Sequence, residues 1–210
     1  PQVTEINRVP MRASYFAYRD GENTGRSASS ANYLDLSGTW RFNYVPDRSG
    51  RPGEEVFAKT YDDSAWGFIQ VPGMWELSGY GEPMYLNIGY PWRGNFKNNP
   101  PVTPDKENAV GTYRTWVMIP ADWKGKDIMA HFGSATSNLA LWVNGKRVGY
   151  GEDSKLAQEH DITRYVVPGK ENLIALQMNR WCDGTYLEDQ DFFRFAGLAR
   201  ENYLFAREKN

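Results

Sequence analysis

The chain has 210 residues, with 24 Lys and Arg against 26 Asp and Glu, for a net charge of −2. A chain of that length buries roughly 70% of its unfolded surface without staples, and the charge argues against nucleic acid as the main partner, which calls for a basic patch. The lone cysteine, Cys182, excludes an internal disulfide, and no apolar run is long enough to span a membrane as a helix.

Taken in chain order, residues 1–35 are polar, rich in Arg, Ser and Asn, and read as an extended arm. "GTWRFNY" then alternates Trp40, Phe42 and Tyr44 against Arg41 and Asn43, the pattern of a half-buried strand. A short helical turn is expected near "YDDSAWGF". Residues 80–105 carry five prolines and little periodicity; a loop that long is functional or packed on a neighbour. "TYRTWVMIP" puts Tyr113, Thr115, Val117 and Ile119 on one face, and "DIMAHFG" does the same with Ile128, Ala130 and Phe132. "NLALWVNGKRVGY" predicts a hairpin, because Asn144-Gly145 suits the positive φ angles of a type I′ turn. A second helical turn is expected near "DITRYV". "ENLIALQMNRW" and "NYLFARE" supply the last strands. Eight to ten short strands with turns between them indicate an all-β fold, an antiparallel β-sandwich or jelly roll. With no internal repeat and no linker, residues 36–210 form one domain behind the arm.

Rings make up 15% of the residues, with eight Trp, and such rings fill sandwich cores or stack on sugars. "WCDGTYLEDQDFFRFAGLAR" interleaves Asp183, Glu188, Asp189 and Asp191 with Trp181, Tyr186, Phe192 and Phe193. Glu152 and Asp153 follow a hairpin arm. Any two of these acids could form a glycosidase pair, since that chemistry needs two carboxyls at a set separation. The competing reading makes them turn caps and partners of Arg180, Arg194 and Arg200. His131 and His160 are the only histidines; with one cysteine they do not make a zinc pattern, and His131 reads as packing. A phosphate-binding loop, a dinucleotide fingerprint and a G-x-S-x-G elbow are all missing from the sequence.

Six stretches stand in one order: "GTWRF", "VPGMWELSGYGEPMYLNIGYP", "NNPPVTP", "LWVNGKRVGYGEDSKL", "HDIT" and "RWCDGTYLEDQDFFRFAGLAR". From about Asn7 onward the chain resembles the N-terminal domain of the large bacterial β-galactosidases of glycoside hydrolase family 2. The resemblance implies a jelly-roll, galactose-binding-type domain. Immunoglobulin-like, TIM-barrel and C-terminal sandwich domains would follow it in a longer retaining enzyme. Both catalytic glutamates would lie on the barrel, so no catalytic residue is expected in these 210 residues. Two positions carry over as substrate contacts. Asp191 matches an aspartate that reaches the galactose 6-hydroxyl region and ligates sodium. Asn99 matches an asparagine that hydrogen-bonds the galactosyl unit, with Asn98 beside it as the alternative in a segment longer than usual. Phe193 stands where Trp is common and His160 where Phe is common. The resemblance also implies a β-galactoside substrate, homo-oligomerisation of the longer enzyme, and magnesium with no ligand among these residues. An autonomous lectin-like module and a purely structural domain are the competing readings. The sequence opens with no signal peptide and leaves cytoplasm and periplasm equally open.

Overall fold

The computed structural model describes residues 3–209; Pro1 and Gln2 of the expected arm, and Asn210, lie outside the described residues. In chain order the strands are β1 (Glu5–Ile6), β2 (Tyr33–Asp35), β3 (Gly38–Val45), β4 (Gly67–Val71), β5 (Gly73–Met74), β6 (Met84–Leu86), β7 (Val110–Met118) and β8 (Asp127–Phe132). They continue with β9 (Ala135–Thr136), β10 (Leu139–Val143), β11 (Lys146–Gly151), β12 (Gln158–Asp161), β13 (Glu171–Asn179), β14 (Phe192–Arg194), β15 (Gly197–Leu198) and β16 (Asn202–Arg207). A seven-stranded sheet in the order β1-β11-β10-β13-β7-β3-β4 packs on a four-stranded sheet, β12-β8-β16-β2. Two small ribbons, β14-β6 and β5-β15-β9, complete the sandwich. The pairings are antiparallel, as the strand signals require.

The core follows from the alternation. Trp40 and Phe42 of β3, Tyr113 of β7, and Ile128, Ala130 and Phe132 of β8 enter one buried cluster with Trp75 and Trp123. Each Ile and Phe among them contributes about 1.5–3 kcal/mol relative to leaving it exposed. On the outer face of the large sheet a second cluster forms, where Phe57 stacks on Trp142 with ring centroids 3.7 Å apart. Beside it the buried Arg114 pairs with Asp63 at 2.7 Å. Seven of the eight tryptophans are buried, and Trp116 is the exposed one, so the ring content of this chain fills the interior.

The hairpin forms as expected: Val143 pairs Lys146, and Asn144 and Gly145 take φ of 51° and 82°. The arm lies along both sheets. Its Glu5–Ile6 extends the edge at β11, and Arg12 clasps Glu159 through two bonds of 2.8 and 3.0 Å. Two expectations fail. Residues 61–68 and 161–166 are not helical, because Asp62 and Asp161 each accept the backbone N–H two residues on, at 2.9 Å, and that local bond competes with a helix. The α-helical turn is instead α1 (Thr185–Glu188), inside the acidic stretch, where a single turn is too short to show a period. Among the described residues no helix is long and apolar enough to cross a membrane.

Candidate functional site

Residues 80–105 wrap one end of the sandwich and are held by rings. Trp92 is buried, stacked against Tyr90 at 5.4 Å and edge-on to Tyr186 and Trp181 at 5.0 and 6.5 Å. Asn108, also buried, secures the base of the loop by donating to the carbonyls of Pro104 and Trp181 and accepting from the N–H of Trp181. Tyr186 of α1 donates to the Val102 carbonyl at 2.7 Å and accepts from the N–H of Asn99 at 3.3 Å. The loop thereby doubles back at Pro100-Pro101, with Val102 N–H donating to the Asn99 carbonyl.

This geometry separates the two asparagines. Asn98 Oδ1 accepts from Trp92 Nε1 at 2.8 Å, so that side chain serves the loop itself. The Asn99 side chain is exposed and, among the described residues, makes no hydrogen bond, which leaves a free amide at the loop tip.

Asp191 stands at the start of β14, exposed, with Oδ1 accepting from Tyr85 Oη at 2.5 Å. Among the described residues it has no ion pair and Oδ2 takes no hydrogen bond. The nearby guanidinium is engaged elsewhere: Arg194 bonds Asp189 Oδ1 at 2.7–2.8 Å and the Leu86 carbonyl at 2.7 Å. The structure thus leaves Asp191 without an ion pair and half-satisfied. An oxygen donor of that kind fits a hard cation or a sugar hydroxyl, as one ligand among several. Asn99 and Asp191 share no hydrogen bond; α1 links them, through Tyr186 on one side and the strand it feeds on the other. Around them Leu187, Ile88, Phe193, Tyr85 and Val102 are 88, 67, 59, 51 and 47% exposed. Exposed apolar side chains gathered in one place are a feature of interaction surfaces and ligand grooves.

The remaining acids do not join Asp191. Glu152 is buried, accepts from Tyr150 Oη at 2.6 Å and has a carboxylate oxygen within 4.8 Å of one of Asp183. Burial first, then Asp183 and Glu188, push Glu152 up to about 7. Glu188 is held by Ser154 through both its N–H and its hydroxyl. Ligand atoms of Glu152, Cys182 and Asp183 lie within 4.8 Å of one another, and burial pushes the Cys182 thiol up to about 12, so the cluster holds protons in a confined space. The expectation of arginine partners is met for Asp189 alone among the acids of this stretch; Arg180 pairs with buried Glu76 instead. His131 stacks on Tyr203 and bonds Glu159 at 2.9 Å, while buried His160 holds the Asn7 carbonyl at 3.0 Å.

Tyr85, Tyr186 and Trp92 shape this end, and sequence reasoning did not single them out for it. The available signal was the pair of three-residue alternations "MYL" and "FFR", which pair as β6 and β14.

The antiparallel sandwich thus gathers free polar side chains and exposed apolar side chains on the loops at one end. The chain belongs to the family of glycosyl hydrolases family 2, sugar binding domain, whose family model matches residues 33–208. It is 37% identical over 208 residues to a β-galactosidase of Priestia megaterium, covering 98% of this chain and 20% of that protein. It is also 37% identical over 210 residues to a β-galactosidase of Photobacterium profundum, covering 100% and 20% respectively. The chain therefore spans about a fifth of the length of these curated relatives. Among solved structures, a β-glucuronidase of Bacteroides uniformis matches with a TM-score of 0.62 at 20% identity, over 84% of this chain and 18% of that one. A family 2 member from Bacteroides cellulosilyticus matches at 0.59 and 25% identity, over 84% and 21%. The all-β sandwich expected from the sequence is the fold these proteins share.

Proposed function

We propose that this chain is the N-terminal domain of a retaining β-galactosidase, and that it completes the galactose and sodium side of an active site whose catalytic glutamates lie on a TIM barrel outside these residues. Asp191 would accept hydrogen bonds from the sugar and ligate sodium, and Asn99 would hydrogen-bond the galactosyl unit. A sodium ion there would supply a fixed positive charge beside the sugar, and this chain's part is to present one uncommitted carboxylate to it. The observation that carries the reading is that carboxylate, oriented by Tyr85, unpaired, and set among apolar side chains that a neighbouring domain would cover. The longer enzyme is expected to hydrolyse terminal β-galactosides as a homo-oligomer, and no magnesium ligand is assigned to this chain.

The test is Asp191→Asn in the full-length enzyme, with rate measured against sodium concentration. The change keeps the shape and removes the charge. Sodium activation should disappear, and kcat/KM should fall at least about tenfold, roughly 1.4 kcal/mol of transition-state stabilisation. Asp183→Asn, in the buried cluster, should keep the sodium response. A wild-type sodium curve for Asp191→Asn would leave the domain with a structural role only.

A further inference from the structure

We propose that Tyr85 is a positioning residue, a neutral donor that fixes the direction of the Asp191 carboxylate while leaving its charge available. This rests on the assignment of Asp191 made above. The Cβ–Cγ torsion of an aspartate is soft, so a carboxylate at the start of a strand turns freely unless something holds it. Here the holder is placed by the ribbon. Tyr85 lies directly opposite Phe193 in the β6–β14 pair, and their rings meet at 5.3 Å. Phe193 in turn stacks parallel on Phe195 at 5.7 Å. Arg194 reaches across to the Leu86 carbonyl and closes the same ribbon. The phenol is thereby delivered to Asp191 Oδ1 at 2.5 Å.

The choice of donor matters. An arginine would orient the carboxylate equally well but would neutralise it. The one arginine on the ribbon, Arg194, is committed to Asp189. A tyrosine hydroxyl supplies one O–H and no charge, and it leaves Oδ2 and the second lone pair of Oδ1 open to a cation and a sugar hydroxyl. Charge-assisted bonds of this kind are the short, strong ones.

The experiment uses the full-length enzyme with Tyr85→Phe, which keeps the ring and its contact with Phe193. Two readouts are taken: the sodium concentration for half-maximal rate, and the sodium-dependent rise in melting temperature, which reports binding without turnover. The half-saturating sodium should rise roughly tenfold in both, as loss of one hydrogen bond to a charged group implies. Saturating sodium should restore kcat, and the melting temperature without sodium should be unchanged. Tyr80→Phe removes a hydroxyl that, among the described residues, serves only the Phe68 carbonyl, at 3.0 Å, and should leave both curves as in the wild type. If Asp191→Asn abolishes the sodium response but Tyr85→Phe keeps the wild-type curve, the positioning role is wrong and the Asp191 assignment stands. If Asp191→Asn itself responds normally, both fall together. If Tyr85→Phe lowers the melting temperature without sodium and high sodium does not restore kcat, Tyr85 is merely structural.

Discussion

Glu152→Gln should make this domain more stable at pH 8 and leave it unchanged near pH 4.5. The folded protein holds the Glu152 carboxyl up at about 7, against an ordinary value of 4.5, because burial and two neighbouring acids oppose its charge. For a group raised on folding, the stabilisation is complete below the unfolded value and is lost as pH rises through the folded one. Each pH unit in that window is worth about 1.4 kcal/mol, so up to about 3 kcal/mol is lost by pH 8. Glutamine has the same shape. Its oxygen can still accept from Tyr150, so that bond survives and the titration does not. The expected gain at pH 8 is about 1–3 kcal/mol, or roughly 2–12 °C in melting temperature for a domain of this size. Thermal melts of both proteins from pH 4.5 to 8.5 measure it. A gap between the two that does not change with pH, or a glutamine variant less stable at pH 8, would refute the raised Glu152 carboxyl.

The sign reverses at His160, where burial holds the imidazole down at about 4, so its stabilisation is present above pH 6.5 and is lost as pH falls through 4. His160→Phe should flatten that acid limb in urea titrations between pH 6.5 and 4, and an unchanged slope counts against a buried neutral imidazole. Asn98→Ala removes the acceptor of Trp92 and should cost the isolated domain about 1 kcal/mol, whereas Asn99→Ala should leave stability alone and raise KM in the full-length enzyme; the opposite pattern in melts and kinetics would reassign the contact to Asn98. The 210-residue chain should not hydrolyse an aryl β-galactoside and should bind galactose no tighter than about millimolar, near −4 kcal/mol. Micromolar binding by calorimetry, or turnover abolished by Glu188→Gln, would point to an autonomous module or an enzyme.

What the sequence determined is what short-range physics can encode. Alternation in "GTWRFNY" and "TYRTWVMIP" chose strands and their buried faces, and Asn144-Gly145 dictated the hairpin, because side-chain period and turn geometry act over a few residues. The order of the quoted motifs reached further and pointed to the family. The tertiary structure decided what each acid does. Asp189, Asp191, Glu188 and Glu152 are alike in sequence, yet one pairs with Arg194, one meets Tyr85, one holds Ser154 and one is buried against Tyr150 beside Asp183. It also divided Asn98 from Asn99 by the reach of Trp92, and it replaced the short helical turns expected near residues 61–68 and 161–166 with turns in which an aspartate accepts the N–H two residues on. A carboxylate's protonation and partners depend on burial and on groups that the fold brings from distant segments, and no local pattern records those.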